Sequence, residues 1–284
     1  MTATTATDLA TPFDRSERAI WRGSADAYAR TFAHLCAHLA PDLLDAAHAG
    51  NGTRVLDVGT GTGTVALLAR GRGADALACD ADPGMVATAV GTAGRDGAPL
   101  TGVVAALPAL PFADGSFDAV TAGFVLNHVG RPRAAAAELA RVALPGRRVA
   151  VTIWASPPAA GQTLVGRALA AAGIERPTTF PSLDGADDFP RTADGLAALL
   201  RDAGLVDVVV EERRWVHRVD ADTWWAGPAS GVATVGKVLT GAPSEARAAA
   251  RAHFDRLADE LRGDDGLLAL PHVALLGHGR RPPA

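Results

Sequence analysis

Val55-Leu56-Asp57-Val58-Gly59-Thr60-Gly61-Thr62-Gly63 sets the architecture of this chain. A short apolar run, Arg54–Gly59, ends in a glycine turn, and Thr64–Arg70 behind it carries a helical pattern. Glycines at such a junction permit unusual backbone angles and let a ligand approach without a Cβ in the way. The helix that follows points its free N–H groups at the same spot. A dinucleotide fingerprint places glycine at the first, third and sixth positions. Counted from Gly59, the fifth position is Gly63 and the sixth is Thr64, so the spacing departs from that fingerprint.

Working outward, Ala76–Asp80 is a second strand candidate, closed by Asp80-Ala81-Asp82-Pro83. Pro83 suits the first turn of a helix running through Val86 and Val90. Leu100–Val104 and Phe117–Phe124 read as strands, Arg133–Val142 as a helix, and Arg148–Trp154 as a fifth strand after the turn Leu144-Pro145-Gly146. This alternation predicts an α/β fold, doubly wound around a mostly parallel seven-stranded sheet. Upstream, Ser24–Ala47 reads as one or two helices with Tyr28, Phe32, Leu35, Leu39 and Leu43 on one stripe and Pro41 at a start or kink. Downstream, Gln162–Ala172 and Leu196–Ala203 read as helices, with Val206–Val210 and His272–Gly277 as the last strands. Arg176–Pro190 reads as a loop lying over something, and Asp220–Gly266 as a mostly helical insertion. The expected organisation is N-terminal helices closing the site over 1–50 and a ligand-binding core over 51–154. Residues 155–284 then complete the sheet, with lid insertions at about 155–190 and 220–266.

Composition narrows the function classes. Of 284 residues, 48% are hydrophobic and 20% charged, a balance that supports a packed core rather than disorder. No apolar run reaches the roughly 18 residues of a membrane span, and Met1 to Arg15 lacks a basic segment leading into an apolar one. Lys and Arg total 27 against 31 acids, a net charge of −4 that disfavours nucleic acid as a partner. Two cysteines, Cys36 and Cys79, fit neither metal-ligand spacing nor a disulfide framework, so a reduced, cytoplasmic setting is expected. His34, His38 and His48 lack a partnering acid or third ligand; they are expected to be solvated or capping, with no metal.

Further motifs follow in order. Asp80 ends the second strand about twenty residues past the glycine turn, where a carboxylate accepts bonds from both hydroxyls of a ribose; helix capping falls better to Asp82. Leu110-Pro111-Phe112-Ala113-Asp114-Gly115-Ser116-Phe117-Asp118, Val125-Leu126-Asn127-His128-Val129 and Glu138-Leu139-Ala140-Arg141-Val142-Ala143-Leu144-Pro145-Gly146 complete the set. Together with the D-x-G-x-G-x-G loop at Asp57, they resemble the class I S-adenosylmethionine (SAM)-dependent methyltransferases of the ubiquinone/menaquinone-biosynthesis type, over about residues 52–154. That resemblance implies a Rossmann-like fold, SAM as methyl donor and S-adenosylhomocysteine as product. It implies that Gly59 and Gly61 face the methionine part, Asp57 organises the loop, Asp80 binds ribose and Met85 packs on adenine. Core packing is the plainer account of Met85. Ala106 and Leu107 fall where the family often has an acidic residue and an adenine-contacting neighbour. The acid is missing here, which leaves the adenine amino group to a backbone carbonyl or water. Ala122 and Phe124 should border the methionine carboxylate and the transferred methyl.

The sulfonium of SAM is already an activated electrophile, so the protein's tasks are alignment and exclusion of water. His128 is the candidate general base, as it follows the fourth strand near the expected methyl; capping, or a bond to Asn127, is the alternative. Tyr28, the sole tyrosine, can touch the SAM carboxylate or the acceptor, or simply pack in its stripe. Trp154, His217, Trp224 and Trp225 are the candidate acceptor pocket, although core packing accounts for Trp224 and Trp225 nearly as well. The expected activity is methyl transfer to an O or N atom of a small molecule, a secondary metabolite. The alternatives are C-methylation of a quinone-like ring, an NAD-dependent oxidoreductase, and a SAM-fold protein running a non-methylating step such as cyclisation.

Overall fold

The computed structural model describes residues 10–95, 97 and 99–284. The stretch 1–9, part of the segment read for a secretory signal, lies outside them. In chain order the elements are α1 (Pro12–Trp21), α2 (Ala25–Arg30), α3 (Phe32–Cys36), α4 (Ala40–Ala46), β1 (Arg54–Val58), α5 (Thr64–Gly71), β2 (Asp75–Asp80) and α6 (Pro83–Arg95). Next come β3 (Thr101–Val104), β4 (Phe117–Gly123), α7 (Pro132–Val142), β5 (Ala143–Trp154), α8 (Ala160–Ala171) and α9 (Ala193–Asp202). The chain finishes with β6 (Val206–Val219), α10 (Ala221–Ala229), α11 (Ala233–Gly241), α12 (Ser244–Asp259) and β7 (Leu268–Arg280).

The sheet has seven strands in the order β3-β2-β1-β4-β5-β7-β6. β1 pairs parallel with both β2 and β4, whereas β7 runs antiparallel to β5 and β6. Strand order reverses between β1 and β4, and the carboxyl ends of strands at such a switch point open into a crevice. One face packs an alanine-rich layer, Ala66 and Ala69 of α5 with Ala89 and Ala93 of α6, which brings those helices close to the sheet. The other packs Leu139 of α7 and Leu196 and Leu199 of α9 against Leu56, Phe117 and Val120. Each such leucine contributes roughly 2 kcal/mol by leaving water. A third cluster, around Phe254 of α12, Leu164 of α8 and Leu268 and Leu270 of β7, joins the C-terminal helices to the sheet edge. Among the described residues no helix is long and apolar enough to cross a membrane.

Several elements differ from the sequence expectations. The segment 24–47 is not one or two helices: it breaks at Thr31, at φ −130° and ψ −95°, where the hydroxyl donates to the Ala27 carbonyl. β6 extends to Val219, past the expected end at Val210, and β7 spans Leu268–Arg280. The extra length of β6 is charged because it is an edge strand, with Arg213 paired to Glu211 on one face and Arg214 to Glu212 on the other. β5 starts at Ala143, carrying the expected turn at Pro145 and Gly146 within the strand. Helix α1 falls within the expected N-terminal helical region 1–50, ahead of the segment 24–47 to which the helical pattern is assigned.

Candidate active site

The turn after β1 is shaped by glycine. Gly59 has φ +66°, and a Cβ on it would lie 2.5 Å from Val125 Cγ2. Gly63, at φ +92°, opens α5, and a Cβ there would meet Ala89 of α6 at 2.8 Å. Beneath the turn, the Asp57 carboxylate accepts from the Thr60 hydroxyl at 2.6 Å and the Thr121 hydroxyl at 3.0 Å. Burial pushes Asp57 up to about 6, against the pull of those two donors. Asp80, closing β2, accepts from the Gly61 N–H at 2.9 Å and the Asp82 N–H at 2.9 Å. Burial raises its pKa, and those backbone donors oppose the rise. Asp82 caps α6 by accepting from the Met85 N–H at 3.0 Å. With two backbone donors engaged, the Asp80 carboxylate keeps lone pairs for a ligand.

These groups form one end of a cavity of about 700 Å³. Gly59, Gly61, Asp80, Met85, Ala106 and Leu107 all line it. Ala122 does not: it is fully buried in the layer under α7, and Gly123 and Phe124 form the wall instead. Successive strand residues point to opposite faces, which accounts for the difference. Phe124 sits at φ +60°, a costly angle for a non-glycine residue. Its N–H donates to the Thr152 carbonyl at 2.9 Å, and its ring stacks on Trp154 with centroids 4.2 Å apart.

The middle of the cavity is built on α1. Thr11 and Asp14 make a reciprocal capping box with Pro12 at the first turn, and this Thr-Pro-x-Asp signal could have revealed the helix. Asp14 also accepts from the Gly130 N–H at 2.6 Å. Three residues on, and so on the same helix face, Glu17 Oε2 accepts from His128 Nδ1 at 2.8 Å. A carboxylate can only accept, so Nδ1 carries a proton, and it is the neutral form of the ring that has its lone pair on Nε2. His128 therefore bonds Glu17 rather than Asn127, whose side chain receives the Trp154 N–H at 3.0 Å. Trp21 packs edge-on against both His128, at 5.3 Å, and Tyr28, at 5.7 Å. The Tyr28 ring also lies against Gly61. Burial, then the neighbouring Cys36, pushes the Tyr28 hydroxyl well above its ordinary 10, so it stays protonated and serves as a donor. Asp14, Glu17 and Trp21 escaped the sequence reading.

The far end is aromatic. Trp154, Trp224, Phe32, Gln162 and His272 line it. Trp225 does not, because neighbouring helical residues point about 100° apart; its ring packs on Phe254 at 4.9 Å and under Arg251. His217 lies outside the wall, tilted against Trp224 at 5.6 Å, and burial together with His34 and His38 lowers its pKa. The loop 176–190 contributes no wall residue; Phe189 at its end inserts into the core beside Leu196. Of the insertion at 220–266, Trp224 and Ala233 reach the cavity. Among the described residues no cluster of three or more His, Cys, Asp or Glu is placed to hold a metal ion.

Comparison with known proteins gives a concordant picture. A family described as a methyltransferase domain matches residues 56–151. The chain is 39% identical over 171 residues to a demethylmenaquinone methyltransferase of Beutenbergia cavernae, covering 57% of this chain and 69% of the relative. Among solved structures, the YcgJ protein of Bacillus subtilis superposes with a TM-score of 0.57 at 19% identity, over 87% of this chain and 99% of that one. The [4+2]-cyclase SpnF superposes with a TM-score of 0.54 at 21% identity, over 87% and 82% of the two chains. These two likenesses concern the fold alone.

Proposed function

This chain belongs to the class I SAM-dependent methyltransferases, and on that premise we propose that it methylates an O or N atom of a small aromatic acceptor. The observation that carries this reading is the His128–Glu17 pair, bonded at 2.8 Å where the glycine-turn end of the cavity meets its aromatic end. Family membership supersedes the nicotinamide alternative.

The residues present suit SAM. Gly59 is held to glycine by Val125 and Gly61 by the Tyr28 ring, so at both positions the turn presents backbone to the cavity that they line. Asp80 would take the ribose hydroxyls, Met85 and Leu107 would flank the adenine, and the Tyr28 hydroxyl would donate to the methionine carboxylate. Bound SAM supplies the electrophilic methyl. The chain's part is to set the acceptor ring against Trp154 and Phe124 and to keep water out, which alone is worth a large share of such a barrier. His128 Nε2 then takes the proton from a hydroxyl nucleophile, or from the ammonium formed once a neutral amine has accepted the methyl, and Glu17 stabilises the imidazolium that results.

Isotopic methyl transfer from labelled SAM into a panel of phenols and aromatic amines tests the reading. His128→Ala is expected to lower turnover about 100-fold with SAM affinity nearly intact. Glu17→Gln should lower kcat similarly and move the acid limb of the pH–rate profile. Full activity in both variants would remove the base from the mechanism. C-methylation of a hydroquinone ring is the second reading, favoured by the relative from Beutenbergia cavernae. Carbon NMR of the labelled product distinguishes the two, since a methyl on carbon resonates far from one on oxygen or nitrogen. S-adenosylhomocysteine release on turnover separates both from a SpnF-like cyclisation.

A further inference from the structure

We infer that the aromatic end of the cavity recognises a hydroxyl group of the acceptor, with the Trp224 indole N–H donating to its oxygen and His272 Nε2 accepting its proton. This rests on the methyl-transfer reading above and narrows its substrate class to hydroxylated aromatics, the recognised hydroxyl lying away from the atom that His128 serves.

Trp224 and His272 are 5% and 2% exposed, and both line the cavity. Trp224 Nε1 and His272 Nε2 are buried and have no hydrogen-bond partner among the described residues. Trp215 Nε1 and Arg70 Nε are likewise buried without a partner, but only Trp224 and His272 belong to the cavity wall. Buried polar atoms in native proteins are nearly always paired, so two orphans on that wall call for a ligand group. Their chemistry specifies which. His272 Nδ1 donates to the Leu270 carbonyl at 2.9 Å, and since a carbonyl only accepts, Nδ1 holds the single proton of the neutral ring. Burial lowers the His272 pKa to about 4, which keeps the ring neutral at pH 7 and Nε2 an acceptor. Trp224 Nε1 is only a donor. The two rings meet edge to face, with centroids 5.8 Å apart.

A hydroxyl group carries one donor and two lone pairs, and so satisfies both atoms at once. An ether or ketone oxygen answers Trp224 alone and sets a lone pair against the lone pair of His272. A carboxylate adds a charge that the neutral imidazole cannot offset. The surroundings favour a flat molecule. Trp154 lies 5.9 Å from the His272 ring and Phe32 5.1 Å from that of Trp224, and both line the cavity.

The test measures binding of β-naphthol, its methyl ether and β-naphthoate to the full chain by calorimetry, with and without saturating S-adenosylhomocysteine. β-Naphthol is expected to bind about tenfold more tightly than either analogue. His272→Phe should abolish that preference while leaving S-adenosylhomocysteine affinity unchanged, and Trp224→Phe should reduce it. Equal affinity for naphthol and its ether, no saturable naphthol binding, or an undiminished preference in both variants overturns the inference. The wild-type comparison stands even where a variant fails to fold. Absence of heat with S-adenosylhomocysteine, by contrast, strikes the methyl-transfer reading, while the naphthol preference without it still reads the Trp224–His272 pair.

Discussion

Gly59, Gly61, Asp80, Met85 and Leu107 come from fewer than fifty consecutive residues, and much of what they offer is backbone or a short side chain. Phe32, Trp154, Gln162, Trp224 and His272 come from five separate elements and offer rings and one carboxamide. The first end is held by local turn geometry; the second exists only once α3, β5, α8, α10 and β7 have all docked. A ligand portion shared by a whole family suits the former, and a portion particular to one enzyme suits the latter.

The largest expected contrast lies within the tryptophan pair. Trp225→Ala should cost about 3–5 kcal/mol of stability through the cavity left against Phe254, with the acceptor KM of the remaining folded protein unchanged. Trp224→Ala should raise the acceptor KM. Denaturant unfolding and steady-state kinetics check both, and a KM effect from Trp225 would place it in the pocket wall after all.

Acid should act on the two ends in opposite directions. His272 titrates near 6.5 when unfolded and about 4 when folded, so the unfolded chain binds the proton first. Stability is therefore lost as pH falls from 6.5 to 4, by about 3 kcal/mol. Asp57 titrates near 3.8 when unfolded and about 6 when folded, so the folded chain binds the proton first. Stability is gained as pH falls from 6 to 3.8, again by about 3 kcal/mol. Thermal unfolding between pH 7 and pH 4 should show His272→Phe gaining on the wild type and Asp57→Asn losing ground. Parallel curves would deny both shifts.

The smallest effect concerns the carboxylate at the end of β2. Asp80→Ala should weaken SAM binding by about 1.5–3 kcal/mol through lost charge-assisted hydrogen bonds. An unchanged dissociation constant by calorimetry would detach Asp80 from the ribose.

How far the sequence revealed these features follows the same division. The glycine turn, Asp80 and the alternation through Trp154 are legible because each meets a local demand: a positive φ, a strand end, a helix start. The charged half of β6 hides its strand character because an edge strand is not constrained to be apolar. Helix α1 was legible in Thr11-Pro12-Phe13-Asp14, yet its importance was not, since nothing local in Glu17 announces a partner at His128. His272 was placed correctly in the last strand. Its role depends on Trp224 across the fold, a juxtaposition that periodicity does not encode. Trp224 and Trp225 are indistinguishable until the phase of α10 is known.

The seat of α1 carries one more consequence. Gly130 and His128, which receive Asp14 and Glu17, lie more than a hundred residues later in the chain. Helix α1, made before them, therefore has no partner at His128 or Gly130 until the fourth strand and its loop have been made. The Glu17–His128 bond is thus a long-range contact that only a chain made past its fourth strand can close.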